Sequence, residues 1–145
     1  MADIERTSTA VWRGDLRGGE GTISSASGTL DGVPYNAAMR FEQAPGTNPE
    51  ELIAAAHAAC FNMAFAGVLA QNGYPPEELH TRAVCHLTPQ RGGYRITRMR
   101  LMTHARVPGI DDATLQRLAQ EGEQGCPVSN ALRGGIEIEL SVTRV

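Results

Sequence analysis

The chain has 145 residues, a length that suits one domain, and we interpret residues 1–145 as a single domain. Its formal net charge is -3, and its 13 Lys and Arg residues are scattered and outnumbered by 16 acidic residues, which argues against binding to nucleic acid. Hydrophobic residues make up 41% of the chain but aromatic residues only 5%, so aliphatic, Ala and Met side chains must build the core.

The first third of the chain predicts three strands, over residues 7–13, 22–30 and 33–43. Asp31-Gly32 separates the last two, and an Asp-Gly pair between β-type segments is a strong signal for a hairpin. Residues 44–47, Ala-Pro-Gly-Thr, have the composition of a loop.

The strongest local signal predicts a long helix that begins at Pro49. Asn48 is a good N-cap, Pro suits the first helical position, and Glu51 stands where a capping box places its carboxylate. The apolar run extends to Gln71-Asn72, and Gly73, followed closely by two prolines, ends the helix.

Part of this helix, residues 52–70, is long enough to cross a lipid bilayer. Much of it is weakly hydrophobic Ala, His57 and Asn62 lie near its centre, and acidic rather than basic residues stand at its start. We therefore interpret it as the buried central helix of a soluble protein that makes no membrane contact.

Two strands follow the helix. Residues 80–87 alternate between apolar and polar side chains, and residues 91–93, Arg-Gly-Gly, predict a turn before a long strand over residues 94–107. The alternation slips between Ile96 and Met99, which predicts a β-bulge in the long strand.

The last part of the chain predicts two helices and a strand. The first helix begins at Asp111 or Asp112 and runs to about Glu123, and Gly125-Cys126-Pro127 breaks it and begins a second, short helix. Residues 136–143 alternate cleanly between apolar and polar side chains and predict the final strand.

The predicted order is β-β-β-α-β-β-α-α-β with strands in hairpins, which indicates an α+β fold with mainly antiparallel sheets. The Ala-rich helix is apolar on all its faces, and one sheet cannot cover them all. A second copy of the chain could supply that cover, so the pattern indicates an obligate homodimer.

The three cysteines form neither a Cys-x-x-Cys pair nor a short-spaced disulfide framework. The N-terminus also lacks the basic and apolar regions of a signal peptide, so we expect a reducing, cytoplasmic setting. In that setting a cysteine is a candidate nucleophile or redox group.

The cysteines differ in their local sequence. Cys126 stands between a Gly and a Pro at a predicted helix cap, where unpaired N–H groups stabilise a thiolate and make it a good partner for a sulfenic acid. Cys60 lies in the middle of the long helix, where core packing is the usual role, and its activation would need a cation brought from elsewhere. Cys85 shares a strand face with Ala83 and Leu87, which favours a packing role.

Two further residues of the long helix are candidates. His57 stands one turn before Cys60, and with Cys126 the three could ligate zinc, but the spacing matches no known zinc pattern and a buried, hydrogen-bonded His is the better interpretation. Glu50 precedes Cys60 by ten residues, about 15 Å along a helix axis. Glu50 could therefore serve a site at Cys60 only from another chain, unless the helix breaks.

The sequence resembles the OsmC/Ohr family of organic hydroperoxide reductases, and its OsmC branch in particular. The form Ala-His-Ala-Ala-Cys is typical of that branch, because the Ohr branch usually has an aromatic residue in place of the His. The matching segments are residues 12–15, 40–42, 46–61, 107–111 and 125–129.

The resemblance implies an intertwined α+β homodimer, in which mainly antiparallel sheets wrap around two central helices. The two redox cysteines of the family correspond to Cys60 and Cys126, and its glutamate to Glu50. Its arginine corresponds to Arg40 in the OsmC branch, with Arg17 of an earlier Arg-Gly-Gly turn as the alternative. The remaining cysteine has no counterpart and receives no role.

The implied activity is the thiol-dependent reduction of organic hydroperoxides to alcohols, in defence against oxidative or osmotic stress. Cys60 would form a sulfenic acid and then a disulfide with Cys126, which a dithiol, by resemblance a lipoylated protein, would reduce. No cofactor or metal is required. An apolar pocket lined by residues such as Phe61 and Met63 would favour alkyl hydroperoxides.

An alternative function is a non-catalytic dimer on the same fold, which binds an apolar ligand or acts as a stress-related structural protein. This alternative predicts that Cys60 and Cys126 lie too far apart to bridge, or that Cys60 is walled off from any basic group.

Overall fold

A computed structural model describes residues 1–145. In chain order the elements are β1 (Ser8–Arg13), β2 (Glu20–Ser25), β3 (Val33–Tyr35), α1 (Ala37–Phe41), α2 (Pro49–Gln71), β4 (Glu78–Gln90), β5 (Gly93–Arg106), α3 (Asp112–Gly125), α4 (Pro127–Leu132) and β6 (Glu137–Arg144). By their internal contacts the residues divide into two compact units, residues 1–52 and 53–145. That residues 1–145 form a single domain stays a prediction.

The first unit contains an antiparallel sheet in the order β1-β2-β3. At its centre Gly21 pairs with Trp12 on one side and Tyr35 on the other. The two aromatic rings meet above Gly21 with their centroids 5.3 Å apart. A Cβ atom on Gly21 would lie 2.6 Å from the Tyr35 ring and 2.8 Å from the Trp12 ring, so this ring pair requires glycine at that position.

Two predictions for this unit are wrong. The third strand ends at Tyr35 rather than at residue 43, because the Asn36 side chain accepts a hydrogen bond from the Met39 N–H and caps the short helix α1. The hairpin between β2 and β3 also has a longer loop than Asp31-Gly32 alone, since β2 ends at Ser25. Serine hydroxyls accept hydrogen bonds from backbone N–H groups of this loop, which allows it to leave the sheet early.

The second unit contains a sheet in the order β4-β5-β6. The strands β4 and β5 form an antiparallel hairpin, and the predicted bulge is confirmed, because Thr97 is passed over between the pairs His86–Arg98 and Leu87–Ile96. The strand β6 runs parallel to β5, so the chain must cross over between them, and α3 and α4 form that crossover.

The core of the second unit lies between α2, α3 and the sheet. The buried face of α2 consists of Phe61, Phe65 and Leu69, which repeat every fourth residue and pack with Leu115 and other apolar residues of α3 and the sheet. The two helices approach closely at Gly122, where a Cβ atom would lie 2.9 Å from the Cα atom of Phe65. The predicted α+β architecture is therefore confirmed.

The predicted bounds of α2 are also confirmed. The Glu51 N–H donates to the Asn48 side chain at 2.8 Å, and Gly73 takes the positive φ that ends many helices. The helix is long and apolar enough to cross a membrane by length and composition alone, and only 22% of its most apolar window is buried. Met63, on its outer face, is 79% exposed.

Candidate active site

The first cluster of candidate residues is the ion pair between Arg40 and Glu50. The Arg40 Nε atom donates to both carboxylate oxygens of Glu50 at 3.1 and 3.2 Å, and Nη2 donates to Oε1 at 2.7 Å. The Glu50 side chain is 8% exposed and that of Arg40 is 38% exposed. A buried carboxylate thus fixes the orientation of a guanidinium group that still presents part of its surface to solvent.

The side chain of Asn48 forms hydrogen bonds with both helices that carry this ion pair, α1 and α2. Its Oδ1 atom caps α2 through the Glu51 N–H, and its Nδ2 atom donates to the Met39 carbonyl oxygen of α1 at 3.1 Å. Because Met39 immediately precedes Arg40, one side chain sets the last turn of α1 against the first turn of α2. The Arg40–Glu50 geometry follows from this local arrangement.

A cavity of about 280 Å³ lies next to the Arg40 guanidinium. Its lining is mostly apolar and aromatic: Trp12, Leu16, Tyr35, Phe41 and Pro49, with Asn36 and Ala37. The cavity beside Arg40 can hold an alkyl or aromatic group beside a cation. The expectation of an apolar pocket at Phe61 and Met63 is wrong for Phe61, which is fully buried in the core of the second unit, whereas Met63 is exposed and lines a separate pocket.

The second cluster contains the thiols of Cys60 and Cys126. Cys126 is fully buried, and Cys60, which is partly exposed, packs against the core cluster that contains Cys126. The Ser129 N–H donates to Cys126 Sγ at 3.4 Å, and the thiol of Cys126 and the backbone N–H of Val128 both lie close enough to Cys60 to shift its pKa. The first turn of α4 therefore lies beside both thiols.

The surroundings of Cys60 within this unit do not activate it. Burial raises the pKa of the Cys60 thiol, the Val128 N–H lowers it, and the neighbouring Cys126 raises it further. None of these contributions comes from a cation. A thiolate at Cys60 at neutral pH requires a positive charge in addition to the groups that surround it here.

A buried hydrogen bond lies beside the thiols. The His57 Nε2 atom and the Ser129 Oγ atom are 2.7 Å apart, and both side chains are fully buried. Burial lowers the pKa of His57, the charge of Glu123 raises it, and the charge of Arg133 lowers it. The interpretation of His57 as a buried, hydrogen-bonded side chain is confirmed, but its partner, 72 residues away, could not be predicted from the sequence.

An ion pair closes the turn that contains Cys126. The Arg133 Nη2 atom lies 2.7 Å from Glu123 Oε1, and the Glu123 carbonyl oxygen accepts from the Cys126 N–H at 3.2 Å. The pair joins the end of α3 to the end of α4. It had no signal in the sequence, because it depends on how the two helices meet.

The structure brings the predicted site residues together in pairs, Arg40 with Glu50 and Cys60 with Cys126. Glu50 and Cys60 lie on one unbroken helix, so about 15 Å of helix axis separates them. Arg17 is exposed in a turn, and the Glu50 carboxylate binds Arg40 instead.

Cys85, the remaining cysteine, lies on β4 and is partly buried opposite Met99. Ala83 and Leu87, on the same face of the strand, are also partly buried. This position is compatible with packing, and the absence of any role in the chemistry stays a prediction.

Comparison with known proteins places this site in a family. Residues 42–141 match the family described as OsmC-like protein. The chain is 43% identical over 139 residues to peroxiredoxin OsmC of Escherichia coli K12, covering 96% of this chain and 97% of that protein. It is 40% identical over 98 residues to an organic hydroperoxide resistance protein of Xanthomonas axonopodis pv. citri, covering 67% of each.

The fold is similar to the crystal structure of the organic hydroperoxide resistance protein OhrB of Bacillus subtilis. The TM-score is 0.74 at 27% sequence identity, over 94% of this chain and 98% of that one. The fold and the paired thiols thus define a protein of the OsmC/Ohr type. The chain belongs to the OsmC-like protein family, as its sequence motifs predicted.

Proposed function

We propose that the protein is a cysteine-based peroxidase that reduces organic hydroperoxides to alcohols, with Cys60 as the reacting thiol and Cys126 as the resolving thiol. The observation that carries the proposal is the contact between the two thiols, in a chain whose relatives are named peroxiredoxin and organic hydroperoxide resistance protein. Cys60 takes the reacting role because it is the partly exposed residue of the two, whereas Cys126 is fully buried.

The reaction has three steps. The Cys60 thiolate attacks the terminal oxygen of the hydroperoxide, the O–O bond breaks, and the alkoxide takes up a proton and leaves as the alcohol. The thiol of Cys126 then attacks the sulfenic sulfur of Cys60, which forms the disulfide and releases water. An external dithiol, such as a lipoylated protein, reduces the disulfide and is itself oxidised.

The cation for Cys60 comes, in this proposal, from a second copy of the chain. Because about 15 Å of helix separates Glu50 from Cys60, the Arg40–Glu50 pair acts on the Cys60 of the other subunit in a homodimer. Two antiparallel copies of α2 would bring the partner's Glu50 and the partner's Arg40 to Cys60. The same pairing would cover the exposed apolar faces of α2.

Substrate selection follows from the cavity beside Arg40. Its aromatic and aliphatic lining suits the organic part of an alkyl hydroperoxide, and the guanidinium suits the peroxide oxygens. Hydrogen peroxide has no apolar group with which to use this lining. The dependence on a dithiol also favours the cytoplasm as the location, since reducing systems there maintain thiols.

A peroxidase assay tests the proposal. Wild-type protein should consume tert-butyl hydroperoxide faster than hydrogen peroxide when a lipoamide system supplies electrons, and a thioredoxin system serves as the comparison. Failure to consume either peroxide with any dithiol would overturn the proposal. The non-catalytic alternative would then remain. The thiol separation that it predicts differs from the proximity of Cys60 and Cys126, but its other signature, a Cys60 without a basic group, describes the surroundings of Cys60 within one chain.

A further inference from the structure

Ser129 makes one hydrogen bond to His57 and another to the sulfur of Cys126. Through its side chain it bonds His57 of α2 at 2.7 Å, and through its backbone N–H it donates to the sulfur of Cys126 at 3.4 Å. Both His57 and Ser129 are fully buried. One residue therefore connects α2, on which Cys60 lies, to the sulfur of the other cysteine.

The connection is made close to the thiols. His57 precedes Cys60 by one helical turn, so both side chains project from the same stretch of α2. Val128, one residue before Ser129, lies close enough to Cys60 for its backbone N–H to lower the pKa of that thiol. Because the His57–Ser129 bond is buried, water cannot replace it, and losing it leaves a buried polar group without a partner.

The nearby Glu123–Arg133 ion pair does not connect α4 to α2. It joins the end of α3 to the end of α4 and so holds the shape of the turn around Cys126. It makes no bond to α2 and does not fix the separation of the two sulfur atoms. Of the ion pair and the His57–Ser129 hydrogen bond, only the hydrogen bond joins the first turn of α4 to the helix that carries Cys60.

We propose that His57 and Ser129 are positioning residues for disulfide formation, holding the sulfur of Cys126 against Cys60. The inference rests on the proposed function for its place in the reaction. The step they govern is the condensation of the Cys60 sulfenic acid with the Cys126 thiol, in which an S–S bond forms, the S–O bond breaks, and water carries away the hydroxyl group and the thiol proton. The attack of Cys60 on the peroxide does not depend on them.

The test compares two disruptive variants with one conservative variant. His57→Leu removes both ring nitrogens, Ser129→Ala removes one oxygen atom, and His57→Gln keeps a polar atom near the position of Nε2. The matched control is Thr103→Val, which breaks a part-buried hydroxyl hydrogen bond of 2.7 Å between the buried Thr103 of β5 and Thr81 of β4. Thermal unfolding establishes that each variant is folded.

The first measurement is the equilibrium between the Cys60–Cys126 disulfide and a glutathione redox buffer, which needs no peroxide. His57→Leu and Ser129→Ala should each lower the equilibrium constant for formation of the Cys60–Cys126 disulfide by up to about tenfold, the factor expected for one net buried hydrogen bond. For this two-electron couple, a tenfold change corresponds to a shift of about 30 mV in reduction potential. Because both substitutions remove the same hydrogen bond, the double variant should have an equilibrium constant for disulfide formation no lower than that of either single variant. His57→Gln should recover most of the loss, and Thr103→Val should show none.

The second measurement follows one equivalent of tert-butyl hydroperoxide by rapid quenching, alkylation and mass spectrometry. The disruptive variants should consume it at the wild-type rate, form the disulfide more slowly, and accumulate more sulfinic acid at Cys60 in excess peroxide.

Unchanged disulfide equilibria in the folded variants would overturn the inference, as would an equal fall in the rate of peroxide consumption. If His57→Leu does not fold, the smaller Ser129→Ala change decides the question. A wild-type protein that forms the Cys60–Cys126 disulfide when oxidised glutathione is the oxidant, but not when a hydroperoxide is, would overturn the proposed function alone.

Discussion

Cys60 and Cys126 have different surroundings although their side chains are in contact. Cys126 is fully buried and its sulfur caps α4, whereas Cys60 is a partly exposed residue. Only an exposed sulfur can meet a peroxide, and only a sulfur in contact with it can resolve the sulfenic acid that forms. The two thiols are therefore suited to different steps.

This difference predicts the behaviour of the cysteine variants. Cys60→Ser should lose all peroxidase activity, because no other thiol occupies its position. Cys126→Ser should consume about one peroxide per site and then stall or over-oxidise at Cys60. Cys85→Ala is the control and should keep the wild-type rate, at a cost of at most about 1 kcal/mol in stability. Multiple turnovers by Cys60→Ser would contradict the assignment.

The buried His57 predicts a pH dependence of stability. Burial lowers the pKa of His57 in the folded protein, so as pH falls below the usual value near 6.5 the unfolded chain takes up a proton that the folded chain does not. The stabilisation is complete above about pH 6.5 and decreases as pH falls towards the lowered pKa. Denaturant unfolding between about pH 5 and 8 measures it.

His57→Gln should remove this component of the pH dependence, since glutamine does not titrate. The charges that act on His57, those of Glu123 and Arg133, remain in that variant. If the free energy of unfolding changes with pH in the same way in wild type and in His57→Gln between about pH 5 and 8, a group other than His57 causes the pH dependence.

At the scale of elements, Asn48 determines how α1 meets α2. Its Oδ1 atom accepts the Glu51 N–H and its Nδ2 atom donates to the Met39 carbonyl oxygen. Asn48→Ala should cost about 1 kcal/mol for the lost cap alone. Asn48→Asp keeps the acceptor but not the donor, so its unfolding free energy should lie between those of Asn48→Ala and wild type. An aspartate variant no more stable than the alanine variant would show that the cap contributes nothing.

The packing of α3 on α2 depends on Gly122. A Cβ atom there would lie 2.9 Å from the Cα atom of Phe65, a backbone atom that no rotamer change can move. Gly122→Ala should therefore destabilise the protein by about 1–3 kcal/mol. Gly125→Ala, on the same helix, meets no atom within 4 Å and should be neutral or slightly stabilising. Chemical denaturation of both variants makes the comparison, and equal stabilities would rule out a tight helix contact.

Within a single chain, most of the apolar surface of α2 remains exposed. Only 22% of its most apolar window is buried within the chain, and small residues on its outer side allow close approach of another helix. The proposed homodimer with antiparallel copies of α2 would account for these exposed faces and for the distance from Glu50 to Cys60. It would also supply a positive charge to a thiol whose pKa burial raises.

A shared site predicts complementation between inactive subunits. Mixed dimers of Cys60→Ser chains with Glu50→Ala chains should contain one site with both lesions and one with neither. Activity near half that of wild type should therefore reappear on mixing, as a peroxide assay on dimers purified with two different tags would show. Each variant alone is the control. Mixed dimers that form, as native mass spectrometry can establish, but remain inactive would contradict the shared site.

Elements whose causes are local could be predicted from the amino-acid sequence. The cap at Asn48, the glycine at 73 and the apolar run between them define α2, and the slip in alternation before Met99 located the bulge at Thr97. The motifs around Cys60 and Cys126 were sufficient for the family. Errors arose where a competing local signal was stronger, as when Asn36 capped a helix within a stretch that was read as strand.

Contacts between groups that are distant in the sequence could not be predicted in this way. The bond between His57 and Ser129 and the ion pair between Glu123 and Arg133 depend on how helices pack, which no local pattern encodes. The parallel pairing of β6 with β5 likewise depends on where the crossover through α3 and α4 returns the chain. Capping and periodicity act over a few residues and can be read from the sequence, whereas side-chain pairs between elements arise only when burial of the apolar faces brings those elements together.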